Sequence, residues 1–126
     1  MRIFINAWFR RFARRETIDY KTLKEAVARA DKGLIDADLG SGVIKQRIAR
    51  PGKGKSGGYR TIIIFRQGER AFFVYGYAKS RLSNIKQDEV EVFRKAAGEL
   101  LALSDTQITQ LIGNEALTEV TNDNTA

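Results

Sequence analysis

The segment from Arg50 to Arg60, which reads Arg-Pro-Gly-Lys-Gly-Lys-Ser-Gly-Gly-Tyr-Arg, combines glycines with cations. Glycines let backbone N–H groups come close to an anion, because no side chain stands in the way. Lys53 and Lys55 add fixed positive charge beside that backbone. Across residues 50–81, eight basic residues face a single acidic one. The segment therefore predicts a binding site for a phosphate-rich ligand.

Charge is divided unevenly along the 126-residue chain, whose formal net charge is +7. Residues 1–49 carry a net charge of +5, residues 50–81 carry +7, and residues 82–126 carry −5. Such a division favours one cationic face, and the usual ligand of a cationic face is nucleic acid. A solvated basic surface without a ligand is the alternative interpretation.

Composition limits the classes of function. The chain has 43% hydrophobic and 29% charged residues, which is typical of one globular domain, here residues 1–120 with a disordered tail at 121–126. It has no cysteine and no histidine, so thiolate chemistry and the commonest general acid–base are absent. We expect no metal, no cofactor, no membrane span and a cytoplasmic location.

Two helices are predicted to follow a first strand at Arg2–Asn6. Asn6 and Asp19 are suited to cap them, and Gly33 is suited to end the second. Each helix has an apolar stripe at helical spacing, which indicates core packing. The first also has a basic face, which is either solvated or in contact with a phosphate backbone. That face consists of Arg10, Arg11, Arg14 and Arg15.

The remaining chain predicts strands first and helices afterwards, which makes the fold class α+β. We expect a small, mainly antiparallel sheet of about four strands, two N-terminal helices and a long C-terminal helix on it. Leu117–Val120 is a candidate fifth strand at the sheet edge. The predicted central elements are strands at 43–49, 58–65 and 70–78, a two-residue hairpin turn at Gln67-Gly68, a helix from Asn84, and a short helix opened by Ser104.

A nucleotide-binding loop is one candidate for the glycine segment. Ala49-x-x-x-x-Gly54-Lys55-Ser56 satisfies a relaxed form of that pattern, with alanine in the first position. The mechanism needs a helix that begins at the lysine, so that its N-terminal N–H groups point at phosphate. Two glycines and a β-branched strand follow instead, which argues against this candidate.

RNA cleavage without a metal is the second candidate. The 2′-OH of a nucleotide attacks the adjacent phosphate, which requires a base, an acid and charge stabilisation of the phosphate oxygens. Repulsion between Lys53 and Lys55 lowers a lysine pKa, so either can act as the base. Arg60 and Arg81 would clamp the phosphate, since guanidinium matches its geometry.

Three tyrosines accompany these cations: Tyr59, Tyr75 and Tyr77. Each can stack on a nucleobase or pass a proton. Ordinary packing in the sheet core is the alternative for all three.

These residues resemble the RelE/HigB-type toxins of bacterial type II toxin–antitoxin systems, in the RelE/ParE superfamily. The resemblance rests on Gly54-Lys-Ser-Gly-Gly-Tyr-Arg60, on Phe72-Phe-Val-Tyr-Gly-Tyr-Ala-Lys-Ser-Arg81 and on Asn84-Ile85. It covers roughly Arg2 to Leu103, and the order of predicted elements also matches.

The resemblance implies a RelE-like microbial RNase fold and a ribosome-dependent mRNA endoribonuclease that inhibits translation. It implies three partners: mRNA in the ribosomal decoding site, rRNA, and a cognate helix-turn-helix antitoxin. The alternative is a non-cleaving basic nucleic-acid-binding protein, or a ParE-like gyrase-directed toxin of the same fold.

The resemblance also implies site residues. Some family members have a catalytic tyrosine where the long helix starts, but Ile85-Lys86-Gln87 contains none. The later basic position of the family falls on Lys79 or Arg81. The candidate catalytic residues are therefore Lys53, Lys55, Arg60 and Arg81, and the candidate RNA-binding residues are Arg47, Arg50, Tyr59, Tyr77 and Lys79.

Overall fold

A six-stranded sheet organises the chain, and helices pack on both of its faces. The computed structural model describes residues 1–50, 54–79 and 85–121, and at positions 50 and 54–57 it describes the backbone only. The elements in chain order are β1 (Arg2–Asn6), α1 (Ala7–Glu16), α2 (Tyr20–Asp31), β2 (Ala37–Gly40), β3 (Val43–Arg50), β4 (Gly54–Arg66), β5 (Arg70–Ala78), α3 (Gln87–Leu100), α4 (Asp105–Gly113) and β6 (Leu117–Glu119).

The strand order in the sheet is β2-β3-β4-β5-β1-β6. The β1–β5 pair is parallel and the other four pairs are antiparallel. The α+β class is thus confirmed, but two details of the prediction are wrong. The sheet has six strands rather than about four, and the long C-terminal helix of the predicted fold does not cover the sheet alone, because α3 is joined there by α4, the short helix that Ser104 predicted.

Side-chain caps explain where three of the helices begin. The N–H groups of Phe9 and Thr22 donate to Asn6 Oδ1 and Asp19 Oδ1 at 2.7 and 2.9 Å. The Gln107 N–H donates to Ser104 Oγ at 3.1 Å, which interrupts the C-terminal helical segment and starts α4. The N-cap of α3 is Lys86, two positions later than predicted, and Asn84 lies outside the described residues.

Asp19→Ala should lower the free energy of unfolding by about 1 kcal/mol at pH 7, because it removes this cap. Hydrogen bonds from the Thr22 N–H and hydroxyl hold the pKa of Asp19 below its ordinary value of 3.8. A carboxylate whose pKa is lowered in the folded state stabilises the fold at pH values above its unfolded-state pKa. This contribution is lost as the pH falls through the folded-state pKa.

The difference between wild type and Asp19→Ala should therefore shrink below about pH 4. Urea unfolding at pH 7 and pH 3 measures it. Asp19→Asn is the matched control, since it keeps a capping oxygen and has no titration; a pH-independent difference for Asp19→Ala would contradict this account.

Two hydrophobic cores lie on opposite faces of the sheet. The α1–α2 face contains the side chains that pack under α1 and α2, among them Phe9, Leu23, Ile48, Tyr59, Ile63 and Phe73. The α3–α4 face contains those that pack with α3 and α4, among them Phe4, Val43, Ile62, Ile64, Phe72 and Ile108. Because both faces are covered, the central strands are apolar on both sides, as their sequences indicate.

Three local predictions need correction. Strand β4 begins at Gly54 rather than at the predicted position 58, so the second half of the glycine segment is part of the sheet. The β4–β5 turn contains three residues, since Arg66 pairs with Arg70, and Gly68 has a left-handed φ of 75°. The segment between α2 and β3 contains strand β2, which pairs with β3 and was not among the predicted strands.

An irregularity in the β4–β5 pairing decides which side chains face the α3–α4 helices. The register shifts between Ile62 and Ile63, whose partners are Tyr75 and Phe73. The extra residue, Val74, is a β-bulge, and its carbonyl accepts a hydrogen bond from Asn6 Nδ2 at 3.2 Å. After the bulge, the side chains of β5 alternate between the two faces of the sheet in the opposite phase. Tyr75 and Tyr77 therefore lie on the opposite face from Phe73.

Candidate anion-binding site

Three polar side chains lie in line across the sheet, one each from β3, β4 and β5. Arg47 pairs directly with Arg60, and Arg60 pairs directly with Tyr77. Directly opposed residues have Cβ atoms about 5 Å apart on the same face. The alternation along the strands places all three on the α3–α4 face. We call Arg47, Arg60 and Tyr77 the cationic row.

Arg60 occupies the centre of this row and is buried, with 7% of its surface exposed. Its Nη1 is enclosed and has no hydrogen-bond partner among the described residues. Within the same part of the chain, no carboxylate lies within 4.0 Å of its guanidinium. A guanidinium is always charged, and a buried charge without a partner is costly. The position of Arg60 therefore favours an anion, with phosphate geometry the best match.

Tyr77 is also buried, at 5% exposure, and its hydroxyl has no hydrogen-bond partner among the described residues. Burial raises the pKa of Tyr77 above its ordinary value of 10.0, although the positive charge of Arg60 acts in the opposite sense. The phenol is therefore neutral at physiological pH. Arg60 and Tyr77 together place two enclosed polar groups side by side without partners from the described protein.

Arg47 forms the outer end of the row, and it is less enclosed than Arg60. Its Nε lies 3.7 Å from Asp36 Oδ2, and its side chain is 41% exposed. Part of its charge is thus balanced by Asp36, while solvent reaches the rest. Lys79 directly follows β5 and is exposed, so it adds positive charge near the Tyr77 end.

A second row lies beside the first, and of its residues the sequence analysis named only Tyr75 as a candidate for contact with RNA. Lys45 pairs with Ile62, and Ile62 pairs with Tyr75. The ring centroids of Trp8, Phe93 and Tyr77 lie 4.6, 5.8 and 6.1 Å from that of Tyr75. Lys45 could have been included from the i, i+2 spacing of Lys45 and Arg47 alone, since that spacing puts both on one face of a strand.

Tyr59 lies on the α1–α2 face, opposite to the cationic row. It is 2% exposed, and its hydroxyl donates to Glu16 Oε1 at 2.8 Å. Its ring also contacts Phe12 edge-on at 5.5 Å. A residue that stacks on a nucleobase beside Arg60 would have to lie on the same face of the sheet as Arg60. Tyr59 therefore does not belong to the candidate site. It fixes the end of α1 to β4.

The structure gives no side-chain position for the remaining predicted residues. Lys53 and Arg81 lie outside the described residues, and Lys55 and Arg50 are described by their backbone alone. The backbone shows that Arg50 pairs with Gly54 at the end of the β3–β4 ladder. Lys55 belongs to β4, as does Arg60.

A cavity of about 330 Å³ opens at the sheet edge, between the end of α2 and β3. Its charged groups already contact one another or the backbone: Arg29 Nη2 donates to the Arg47 carbonyl at 2.6 Å, and Arg47 is paired with Asp36. It is therefore a weaker anion site than the centre of the cationic row. Its lining residues are Arg29, Leu34, Ile35, Asp36, Gln46, Arg47, Ile48 and Ala49.

Two other kinds of feature, a metal centre and a membrane span, are absent from the described residues. Across residues 1–50, 54–79 and 85–121, no group of three or more His, Cys, Asp or Glu side chains is arranged to hold a metal ion. In the same ranges, no helix has the length and apolar character needed to cross a membrane.

Comparison with known families identifies the class of protein that this fold and site define. The model of the RelE toxin of the RelE/RelB toxin–antitoxin system matches residues 1–120. The chain therefore belongs to the RelE toxin family, and the resemblance seen in its motifs is confirmed. It is a toxin of a toxin–antitoxin system, whose partner is an antitoxin. No curated protein matches the chain in a sequence search.

Proposed function

We propose that this toxin is a ribosome-dependent mRNA endoribonuclease that inhibits translation in the cytoplasm. The observation that carries the proposal is the buried guanidinium of Arg60, which has no carboxylate partner in the described part of the chain. A scissile phosphate would supply the missing negative charge. Membership of the RelE family supports the same class of activity.

The proposed chemistry begins with attack by a ribose 2′-oxygen on the adjacent phosphorus. Negative charge then grows on the equatorial phosphate oxygens, where Arg60 can donate two parallel hydrogen bonds. Arg47 adds positive charge from the next strand. Lys53, Lys55 and Arg81 are the sequence-based candidates for the base and for further phosphate contacts. None of these steps calls for a metal or an organic cofactor.

The proposed partners are mRNA in the ribosomal decoding site, the surrounding rRNA, and a helix-turn-helix antitoxin. Positive charge supports the first two: residues 1–81 carry a net charge of +12 in a chain of net +7. Exposed arginines of α1, such as Arg11 and Arg14, add positive charge outside the cationic row, on the side of the sheet that α1 covers.

Primer extension on mRNA from induced cells tests this function. We expect new 5′ ends in phase with codons within minutes of induction, because cleavage would occur in the decoding site. Purified protein should cut ribosome-bound mRNA at least about 100-fold faster than the same mRNA free in solution.

A translation inhibitor that arrests growth without cutting mRNA is the control for indirect decay. Growth arrest with intact message would contradict the nuclease and would favour a non-cleaving nucleic-acid-binding protein. Arrest with intact message and broken chromosomal DNA would favour a gyrase-directed toxin.

A further inference from the structure

We propose that the hydroxyl of Tyr77 is the proton donor to the 5′-oxygen that leaves during RNA cleavage. This inference rests on the proposed nuclease function and deepens it, since it gives a chemical role to one residue of the cationic row. It starts from the juxtaposition of two enclosed groups, the Arg60 Nη1 and the Tyr77 hydroxyl, that lack partners among the described residues.

The β-bulge at Val74 is the feature that brings Tyr77 to Arg60. Without the bulge, Tyr77 would share a face with Phe73 and would point under α1, as strict alternation requires. With it, Tyr77 is directly opposite Arg60. Asn6 Nδ2 donates to the Val74 carbonyl, so the fold supplies a dedicated contact for the irregularity.

Tyr59 shows what a tyrosine in an ordinary structural role looks like in the same pair of strands. It is as buried as Tyr77, but its hydroxyl donates to Glu16 at 2.8 Å. A buried hydroxyl is normally hydrogen-bonded, because water has been removed from it. The Tyr77 hydroxyl lacks such a partner in the described residues, and a phosphate ester held by Arg60 would provide one.

The protonation state of Tyr77 suits an acid rather than a base. Burial raises its pKa from the ordinary value of 10.0, so the phenol retains its proton at neutral pH. When the proton leaves, the resulting phenolate lies beside the positive charge of Arg60, which favours that charged form. A phenol next to a guanidinium is thus able to give up its proton at the moment a leaving oxygen needs it.

The step balances as follows. The 2′-oxygen forms a bond to phosphorus and releases its proton to a base. The bond between phosphorus and the 5′-oxygen breaks, and that oxygen takes the proton of Tyr77. The products are a 2′,3′-cyclic phosphate and a free 5′-hydroxyl, and the phenolate of Tyr77 regains a proton from water.

Cleavage of two substrates by Tyr77→Phe tests this role. One is an RNA with an ordinary linkage, and the other has sulfur in place of the bridging 5′-oxygen at the cut site. A thiolate leaves without a proton, because the pKa of a thiol is about 8.5. Rates are measured on ribosome-bound RNA under single-turnover conditions.

We expect Tyr77→Phe to cut the ordinary linkage about 100-fold more slowly than wild type and the sulfur-containing linkage within about threefold of wild type. The substitution removes one oxygen and keeps the ring, so folding is checked by the thermal unfolding temperature. Tyr20→Phe is the matched control: it alters a tyrosine of α2 that is 4% exposed and belongs to the core of the α1–α2 face, and it should leave both rates unchanged.

Three results would overturn the inference. A full rate of Tyr77→Phe on the ordinary linkage would mean that its hydroxyl takes no part. An equal loss on both linkages would mean that the residue positions RNA or supports the strand. If the wild-type protein cuts neither substrate, the proposed function itself is refuted, and the role of Tyr77 with it.

Discussion

Arg60→Met is expected to slow mRNA cleavage by about 100-fold or more and to remove growth arrest on induction. The reason is the position of Arg60 at the centre of the cationic row, where its guanidinium is the buried positive charge closest to Tyr77 among the described residues. Methionine fills similar space but cannot hold a phosphate. The rate on ribosome-bound mRNA, followed by primer extension, measures the loss.

The same substitution should leave the protein at least as stable as wild type. Removing a buried charge that has no partner relieves its desolvation cost, so the free energy of unfolding should be unchanged or higher by about 1 to 2 kcal/mol. Urea unfolding measures this directly. Loss of activity with retained or increased stability is the combination expected of a residue kept for function rather than for folding.

Arg66→Met is the matched control on the same strand. Arg66 is exposed, and its guanidinium contacts the Leu101 carbonyl at 3.1 Å and Glu69 at 3.9 Å, away from the cationic row. We expect its cleavage rate to stay within about twofold of wild type. A folded Arg60→Met protein that cuts as fast as the Arg66→Met protein would remove the basis of the proposed site.

Gly76→Ala should lower the free energy of unfolding by about 2 to 3 kcal/mol. A Cβ at Gly76 would lie 2.6 Å from Phe12 Cε2, which is far inside contact distance. The Phe12 ring cannot easily move, because Trp8 stacks on it at 5.4 Å and Tyr59 meets its edge at 5.5 Å. Either α1 or β5 must therefore shift.

Gly98→Ala provides the matched control, since the substitution is the same and the surroundings differ. Gly98 is on α3, and a Cβ there would meet no heavy atom within 4 Å. Alanine in a helix should raise the free energy of unfolding by about 0.5 to 1 kcal/mol. Urea unfolding of both variants should thus give changes of opposite sign.

A double variant locates the strain. Phe12→Leu removes the ring atoms that a Cβ at position 76 would meet. It should therefore lower the free energy of unfolding less in the Gly76→Ala background than in wild type, with a coupling free energy of about 1 kcal/mol. Additive effects of the two substitutions would show that the Phe12 ring is not what a side chain at position 76 meets.

Local signals in the sequence predicted most of the elements. Asn6, Asp19 and Ser104 have short polar side chains directly before apolar periodic segments, and each caps a helix in the structure. Strands β1, β3 and β5 follow from alternating or continuous apolar runs. Such signals depend on a few neighbouring residues, so a single sequence contains them.

Pairing between strands explains the strand residues that were not predicted from the sequence. The Ala37–Gly40 segment has poor strand propensity, with an aspartate and a glycine, yet β3 provides an edge on which it forms β2. Likewise, residues 54–57 were left outside the predicted strand at 58–65 because of their glycines, but the ladder with β3 extends to the Arg50–Gly54 pair. Tertiary context overrides propensity in both places.

The sequence predicted part of the arrangement of the candidate site, while its anion-binding chemistry stays a prediction. Basic residues around the glycine segment indicated an anion site, and Arg60 and Arg47 do lie side by side. The two tyrosines of the prediction lie on opposite faces, however, because Tyr59 follows the β4 alternation toward α1 while the bulge turns Tyr77 toward Arg60. A bulge has no signature in the sequence of β5.

The position of β1 between β5 and β6 has a consequence for the order in which a newly made chain assembles. Arg2 and Glu119 are 117 positions apart, and the Arg2 guanidinium donates two hydrogen bonds of 3.0 Å to that carboxylate. During translation, the first strand must wait for β5 on one side and for β6 on the other. Long-range closure of this kind is slow. The sheet is complete only after residue 119 has emerged from the exit tunnel, so the toxin cannot reach its full fold before that stage of its own synthesis.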